Sequence, residues 1–499
     1  MRLSAASDLH INSFGGGVIT ELESGVTNGM VEKRGEVLYL TQRPSIDVFE
    51  DAGTYVADAR GRAIYYWEVS TDLYILNNGT LYRGSQSNSI STSPTAGTKK
   101  CHFFELGNTL ILLDAENDQG FTISAADAVT EITDVDFPPK QTPAVGLAQG
   151  GAVLDGYLFV LDVEGVVYSS ANGDPTTWSA LDFKEAERDP DAGVYLGKHH
   201  DNLAVFGAKT IEFFYNAGNA TGSPLNRRQD VAYNIGCSNG ESVWEEGDRI
   251  FFVGVNYSGA LGVYTLENFQ IRKISTSTLD SFLTQSIVKS GISVTGLGLS
   301  SGGHIFYLLT VHTTPSDISP SITLVYDDTT GFWGEWDTDV NDIDKFPLVS
   351  WTKRSGATER AGEGILSNGD LITLNDDLTP QDTLLGDSYI ADGYIQAGYY
   401  ASNSGDGSPI VMKSRTGMND FGSQKYKFPQ KIQTAGDQTS TSQNITIRWA
   451  NEKNTFNTGR TVDLSTNNAL HRIGRFIRRN HEIEYSGTEQ VFIEGIDVD

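Results

Sequence analysis

Short apolar stretches alternate with turn residues along most of the chain. Each unit has an apolar strand, a turn rich in Gly, Asn or Asp, and a second strand, and such units recur from about residue 66 to residue 374. The units are DLYILNNGTLYRG (72–84), NTLILLDAENDQGFTIS (108–124), GYLFVLDVEGVVYSS (156–170), DNLAVFGAKTIEFFYNAG (201–218), DRIFFVGVNYSGALGVYTL (248–266), HIFYLLTVH (304–312) with ITLVYDDTTGFWGEW (322–336), and ILSNGDLITLND (365–376). Asn78-Gly79 and Asn368-Gly369 supply the positive φ angles that tight hairpin turns require. The pattern therefore predicts a series of β-hairpins.

The spacing of these hairpins suggests how they are arranged. They begin 36 to 61 residues apart, and the four-stranded blades of a β-propeller repeat about every 40–50 residues. Each blade buries its faces against two neighbours, and closing the ring leaves only short exposed edges. We predict an all-β fold with a β-propeller of six or seven blades over residues 46–393. A sandwich or a solenoid would also satisfy the alternation.

Two regions flank the repeats. Residues 1–45 are predicted to be an N-terminal arm and incoming strand. The whole segment before the repeats, residues 1–60, either closes the propeller by pairing with its last blade or reaches a neighbouring subunit. After residue 393 the strands are separated by turns rich in Ser, Thr, Gly and Asn, as around NITIRWAN (444–451). We expect residues 394–499 to form a separate antiparallel, sandwich-like C-terminal β-domain.

The charge is distributed unevenly along the chain. The formal net charge is −28, and residues 394–499 carry 12 Lys and Arg against 11 Asp and Glu, which leaves 24 against 53 in the first 393 residues. Such an acidic surface repels the phosphate backbone. Sequence-specific or tight DNA binding by the larger part is therefore not expected.

Cysteine use and hydropathy exclude several classes of protein. Cys101 and Cys237 are the only cysteines, too few for a disulfide framework or a metal cluster, so we expect both to be buried and unpaired. The first residues lack the apolar core of a signal peptide. The longest stretch without charged residues, 290–316, is interrupted by Gly, Ser, Thr, His and Pro, so we expect a soluble protein with no membrane-spanning segment.

Several motifs occur in a fixed order. They are F-G-x-x-T-I-E-x-F (206–214) within the run 196–283, YSSANGDPTTWSALDF (168–183), VYDDTTGFWGEW (325–336), and the basic segment LHRIGRFIRRNHEIEYSG (470–487). In this order and spacing, over roughly residues 30–499, the chain resembles the tail hub, or packaged-DNA stabilisation, family of short-tailed bacteriophages.

That resemblance implies a structural role in the virion tail, after assembly in the host cytoplasm. The family forms a ring, commonly a homohexamer, below the portal and head-to-tail adaptor. As a tail hub or nozzle it retains packaged DNA, lets duplex DNA pass during genome ejection without sequence-specific binding, and carries fibre, tailspike or needle proteins. A negatively charged wall, which repels phosphate over a Debye length of about 8 Å, agrees with such a channel.

Three motifs were considered as catalytic or metal sites. His199 and His200 are adjacent, and adjacent strand residues point to opposite faces, so they are not expected to share a metal. The loop from Asp114 to Gly120 matches a calcium loop only loosely, because its glycine falls at position seven. SSANGDPTTW (169–178) resembles the Asp-box of sialidase propellers, which is an element of the fold. We predict no catalytic residues, no cofactor and no metal site, and thus no enzyme.

A basic cluster stands out within the nearly neutral C-terminal part. It comprises Arg472, Arg475, Arg478 and Arg479. These arginines would dock onto an acidic face of a neighbour or adaptor, contact DNA phosphates, or form a solvated strand paired with Glu482 and Glu484.

Two further functions remain open from sequence alone. A glycan-binding or glycan-cleaving receptor-recognition propeller of a phage tail would act on polysaccharide, and one acidic substitution would abolish cleavage. A propeller adaptor inside a cell would not copurify with phage particles.

Overall fold

The computed structural model describes most of the chain. The described residues are 2–4, 25–50, 61–186, 191–219, 221–289, 291, 293–312, 321–337, 346, 348–353, 362–367, 369–375, 381–382, 390–391, 394–395, 408–416, 425–451, 456–466, 469–487 and 489–498.

Seven sheets of the described residues form the blades of a β-propeller, named blade 1 to blade 7 in chain order. Blade 1 comprises Gly61–Trp67, Asp72–Asn77, Thr80–Arg83 and Ser85–Ser91. Blade 2 comprises His102–Leu106, Thr109–Asp114, Gln119–Ser124 and Val129–Glu131. Blade 3 comprises Ala152–Leu154, Tyr157–Leu161, Val166–Ala171 and Asp174–Glu185. Blade 4 comprises Gly193–His199, Asn202–Gly207, Ile211–Asn216 and Leu225–Tyr233, and Gln149–Gly150 pairs in parallel with its first strand.

The remaining blades follow the same order. Blade 5 comprises Ile235–Cys237, Trp244–Glu246, Arg249–Asn256, Leu261–Glu267 and Gln270–Lys273. Blade 6 comprises Val294–Ser301, His304–His312, Ser321–Asp327 and Phe332–Glu335. Blade 7 comprises Leu348–Thr352, Gly362–Leu366, Leu371–Asn375 and Ser45–Glu50. The predicted β-propeller is confirmed. Of the two blade numbers that the sequence allowed, six and seven, the described residues form seven blades.

Helices occupy little of the described chain. The α-helix Ser277–Leu283 is capped by Thr276, whose hydroxyl accepts from the Leu279 amide at 3.3 Å, and it continues as π-helix Thr284–Lys289. Short 3₁₀ turns cover Pro138–Lys140 and Gly240–Ser242. Among these described helices, none has the length and apolar character needed to cross a membrane.

The N-terminal strand Ser45–Glu50 closes the propeller. It pairs antiparallel with Leu371–Asn375 as the outermost strand of blade 7. Of the two arrangements that the sequence allowed for the incoming strand, the structure has the one in which it pairs with the last blade. The ring is therefore closed by hydrogen bonds between distant parts of one chain.

Apolar clusters fill the interfaces between successive blades. Leu76, Leu112 and Phe121 belong to the cluster between blades 1 and 2, and the following clusters join each blade to the next as far as blade 7. A further cluster, with Ile75 of blade 1 and Leu371 of blade 7, completes the circle. Each twisted sheet thus buries both faces, the arrangement that radial repetition requires.

Two further sheets pack against each other as a β-sandwich, here called the sandwich. In order, its first sheet contains Gly29–Arg34, Val37–Gln42, Ile493–Val498, Lys431–Gly436 and Leu470–His471, with Arg2–Ser4 paired to Ile493–Val498. Its second sheet contains Gly25–Thr27, Met412–Arg415, Arg479–Tyr485, Asn444–Asn451 and Arg460–Asp463. Ile432, Ile447 and Ile483 lie in the apolar core between them. Two short ladders pair Gln381–Asp382 with Ser408–Pro409 and Ile390–Ala391 with Tyr394–Ile395.

Part of the predicted N-terminal arm belongs to the sandwich. The strands Gly29–Arg34 and Val37–Gln42 pair with each other, and Leu40 pairs with Ile493 near the C-terminus. The domain boundaries at residues 45 and 393 stay a prediction, but residues 25–42 share sheets with C-terminal strands.

The sandwich and blade 6 share one continuous sheet. Thr27 pairs in parallel with Glu335 at the end of blade 6. Asn28, at φ 54°, donates its amide to the Glu335 carbonyl at 2.8 Å, and its side-chain oxygen accepts from Arg43 Nε at 2.9 Å. The buried Arg43 guanidinium also donates to the Asp337 carbonyl at 2.8 Å. These backbone and side-chain hydrogen bonds hold the two parts together.

A buried histidine strengthens the same junction. His304 of blade 6 contacts Asp327 through Nδ1 at 2.8 Å and Glu32 of the sandwich through Nε2 at 3.3 Å, and its ring stacks on Phe306. The hydrogen bond to Asp327, followed by the charges of both carboxylates, raises the pKa of His304 despite its burial. The protonated form is therefore favoured in the folded protein.

We expect the replacement His304→Gln to lower the free energy of unfolding more at pH 5.5 than at pH 8.5. The folded pKa lies above the ordinary value of about 6.5, so the charged contribution is complete below that value and is lost as the pH rises through the raised pKa. Urea unfolding of both proteins at the two pH values measures the difference. An equal loss at both pH values would show that the imidazolium contributes nothing.

Candidate functional site

The basic cluster divides into one buried and three exposed arginines. Arg479 is fully buried, with Nε donating to Asn451 Oδ1 at 2.7 Å and a terminal nitrogen donating to the Ile473 carbonyl at 2.9 Å. Its guanidinium lies near the rings of Trp449 and Phe476, at 5.6 and 4.1 Å from their centroids. Burial lowers its pKa to about 10. Arg479 therefore supports the sandwich core and presents no charge to an external partner.

Glu482 and Glu484, which follow the basic cluster in sequence, form ion pairs with Arg448 and Arg415, which lie outside it. Arg448 contacts Glu482 at 2.7 Å and Glu484 at 2.7 and 2.9 Å, and Arg415 also pairs with Glu482. The hydrogen bonds from Arg448 lower the pKa of Glu484. Burial lowers the pKa of His481 to about 3, with the Arg479 charge adding to the effect.

One of the exposed arginines, Arg475, lies over the exposed ring of Tyr426. Lys427 and Phe476 form an antiparallel bridge, with amide-to-carbonyl distances of 2.7 and 3.2 Å. This bridge brings Tyr426, which is 56% exposed, under the guanidinium of Arg475 at 5.0 Å from the ring centroid. Phe428 is 70% exposed on the same segment. We define the basic ridge as the exposed residues Tyr426, Phe428, Arg472, Arg475 and Arg478.

The two aromatic residues of the ridge were missed from sequence. The segment KYKFPQK (425–431) alternates basic and aromatic residues, which was a usable signal. The segment lies within the predicted C-terminal β-domain, and its proximity to Arg475 depends on the long-range bridge between Lys427 and Phe476. Exposed aromatic and arginine side chains are the types that carry most binding energy at protein interfaces.

The histidine pair is arranged differently from the prediction. His199 ends the first strand of blade 4, but His200 lies in the turn at φ 52°, and the ring centroids are 4.5 Å apart. The prediction that the rings face opposite sides was wrong, because a residue in the left-handed turn does not follow strand alternation. His199 Nε2 accepts from the Phe269 amide at 3.0 Å, and burial lowers its pKa to about 4.

The acidic loop after Asp114 is bound by an arginine from the preceding blade. Arg62 is fully buried and donates to Asp114 Oδ1 at 2.8 Å and to Glu116 at 3.2 Å. The same Asp114 oxygen accepts from the Glu116 amide at 3.0 Å. This loop therefore links blades 1 and 2. Within the described parts of the chain, three or more His, Cys, Asp or Glu side chains do not gather in a geometry that fits a metal ion.

The remaining sequence candidates also have structural contacts. Asp174 accepts from the Thr176 amide at 2.9 Å in a turn of blade 3, and Trp178 Nε1 donates to the Pro175 carbonyl at 3.0 Å. Cys101 and Cys237 are both buried and unpaired. Burial raises the pKa of Cys237 to about 12.

The described chain is a seven-bladed β-propeller joined to a β-sandwich. A family model described as "Bacteriophage P22 Gp10, beta-propeller" matches residues 26–328, more than half of the chain. The chain belongs to this family, and it is thus a structural protein of a bacteriophage virion, in a family that stabilises packaged DNA.

Similar folds occur among solved structures at low sequence identity. A streptogramin B lyase structure is 12% identical with a TM-score of 0.42, covering 66% of this chain and 97% of the other. The N-terminal domain of Nup159 is 9% identical with a TM-score of 0.39, covering 70% and 99%. BamB from Moraxella catarrhalis is 11% identical with a TM-score of 0.36, covering 69% and 93%. Similarities this low say nothing about function. No curated protein sequence matches the chain significantly.

Proposed function

We propose that this protein forms a homohexameric ring in the tail of a short-tailed phage, below the portal and head-to-tail adaptor. As a tail hub or nozzle it retains the packaged genome, lets it pass during ejection, and carries fibre, tailspike or needle proteins. The observation that carries the proposal is the family match, which spans the closing strand and extends into blade 6.

The charge distribution supports this role. The first 393 residues hold 53 of the 64 acidic side chains and 24 of the 36 basic ones. An acidic wall repels phosphate over about one Debye length, so duplex DNA slides along it without adhering.

The DNA path in this proposal lies between copies of the chain. The axis of a single propeller holds a cavity of about 460 Å³, walled by side chains of the innermost strands. A B-form duplex, whose major groove alone is about 12 Å wide, does not fit there. A ring of several copies encloses a wider passage.

We assign no enzymatic activity to the protein. Acidic residues of the propeller turns are engaged in hydrogen bonds that stabilise the backbone. Asp162 accepts from the amides of Glu164 and Val166 at 2.9 and 2.8 Å, and Asp327 accepts from the Thr329 amide at 2.9 Å. These contacts give Asp162 and Asp327 a structural role in their turns.

Electron microscopy of particles tests the proposal. Heads bearing the adaptor, incubated with the purified full-length protein, are expected to gain a six-fold ring at the portal vertex and to retain their DNA against nuclease. Class averages without a ring, protein located elsewhere on the particle, or turnover of a polysaccharide by the protein would refute it.

We propose that the basic ridge docks onto an acidic protein surface in this assembly. Changing Arg472, Arg475 and Arg478 together to Glu places like charges at that contact, so the affinity for adaptor-bearing heads is expected to fall by roughly tenfold or more. Cosedimentation with heads measures the loss.

The matched control changes three exposed lysines outside the ridge, Lys33, Lys99 and Lys209, to Glu. This variant has the same net charge and is expected to bind like the wild type. If both variants lose the same affinity for heads, the loss is due to the change in net charge alone. If the ridge variant loses no affinity, the basic ridge does not take part in docking.

A further inference from the structure

Two adjoining cavities lie along the propeller axis. Gly61, Leu348 and Val349, at or near the starts of innermost strands, line a smaller cavity of about 60 Å³. Tyr65 and Thr352, further along the same strands, line the larger one of about 460 Å³. That volume falls in the range of small-molecule sites, about 300–1,000 Å³.

Lys100 lines both cavities and is 4% exposed. Its ammonium donates to the Gly296 carbonyl at 2.5 Å and lies 5.4 Å from the centroid of the Trp244 ring. Among the described residues the ammonium makes this one hydrogen bond and no ion pair within 4 Å, so two of its three N–H groups are left for another acceptor. Glu241 also lines the smaller cavity, and its charge favours the protonated form of Lys100.

The other ionisable groups around the larger cavity are compensated or neutral. Glu245 accepts from the Tyr195 hydroxyl at 3.1 Å and the Lys198 amide at 3.3 Å, and burial raises its pKa to about 7. Burial lowers the pKa of His102 to about 4, so its ring is neutral at pH 7.

The last charged pair lies where the cavity meets solvent. Glu246 is opposed by the half-exposed Lys353 at 3.6 Å and accepts from the Ser300 hydroxyl at 3.0 Å. Among the described residues around the larger cavity, the Lys100 ammonium is therefore the buried charge with no ion pair within 4 Å.

A buried ammonium with one hydrogen bond destabilises a fold, because desolvation disfavours the charge. A methionine would fill the same space without that cost. Groups held at the expense of stability are typical of binding sites. The surrounding wall includes the aromatic residues Phe104, Trp244 and Trp351, which can pack against an apolar body.

We propose that the propeller axis is a binding site for a carboxylate carried on an aromatic or apolar body, with the Lys100 ammonium donating to the carboxylate and the aromatic wall packing against the body. The carboxylate belongs either to a small free acid or to the C-terminus of a peptide. This site is independent of the tail-ring proposal.

Fluorine NMR on the full-length protein at low salt tests the site. One arm uses 4-fluorobenzoate against the uncharged 4-fluorobenzamide. The other uses a tripeptide ending in 4-fluorophenylalanine, with a free or an amidated C-terminus. We expect at least one acid to bind roughly tenfold or more tightly than its amide, and to bind more weakly at pH 9 than at pH 7 as Lys100, whose pKa burial lowers to about 8, loses its proton.

Lys100→Met is expected to lose that preference for the acid while its unfolding midpoint equals or exceeds that of the wild type. Lys99→Met, one residue away and exposed, is the control and should bind like the wild type. Binding of the free acid identifies a small-molecule site, and binding of the peptide acid alone identifies a chain terminus. Equal binding of acids and amides, binding of neither acid, or an unchanged preference in Lys100→Met would overturn the proposal.

Discussion

Replacing Arg62 with Met will lower the free energy of unfolding by about 3–5 kcal/mol, because the change leaves a buried carboxylate without its partner. Arg62 and Asp114 both have fully buried side chains and lie 2.8 Å apart. The guanidinium also donates to the carbonyls of Lys99 at 2.8 Å and Thr95 at 3.1 Å. One side chain thus joins blade 1, blade 2 and the loop between them.

Urea unfolding of Arg62→Met beside Arg272→Met measures this effect. Arg272 pairs with Asp328 at 2.7 Å, but its side chain is 52% exposed, so its loss should cost less than about 1 kcal/mol. The double variant Arg62→Met/Asp114→Asn should recover part of the stability, since the unpaired charge is gone. Equal losses at Arg62 and Arg272 would contradict the buried role.

Replacing Ile46 with Asp will open the propeller ring, at a cost of more than about 4 kcal/mol. Ile46 is fully buried in the cluster between blades 6 and 7, together with Trp336 and Leu374. A carboxylate in this apolar cluster would lose its hydration shell. The strand that closes blade 7 would therefore detach and expose the edge of Leu371–Asn375.

Limited proteolysis and urea unfolding detect this opening. Cleavage is expected within blade 7 and the N-terminal strand before the other blades are cut. Ile46→Val keeps the apolar contact and should cost about 1 kcal/mol with an unchanged cleavage pattern. If Ile46→Asp resists protease as well as the wild type, the closing strand does not hold the ring.

The blades could be predicted because their signals are local. In most of the hairpins an apolar run, a turn and a second run lie within about twenty residues of sequence, and a turn residue such as Asn78, at φ 54°, marks the reversal. Gly369, at φ 96°, has the predicted conformation, whereas Asn368 lies outside the described residues. The blade number stayed open because the seventh blade takes its outer strand from residues 45–50.

Long-range pairing limited the rest of the prediction. Nothing near Leu40 indicates its partner Ile493, because register between distant strands depends on packing and not on local pattern. The basic cluster was interpreted from charge alone, so the burial of Arg479 was not predicted. The Phe476 and Trp449 rings lie against its guanidinium, and these contacts become visible only in three dimensions. The position of His200 depended on a turn that the pattern did not resolve.

Strands within residues 25–50 pair with strands that are translated much later, and this sets the order in which parts of the protein can fold during synthesis. As the ribosome proceeds, blades 1 to 6 can collapse in sequence, but the N-terminal strands must wait for Leu371–Asn375 and then for Ile493–Val498. Contacts this distant in sequence form slowly and leave strand edges exposed meanwhile. The propeller can therefore close once Leu371–Asn375 has been made, whereas the sandwich has to wait for Ile493–Val498, and a chain released between these two points lacks the second closure.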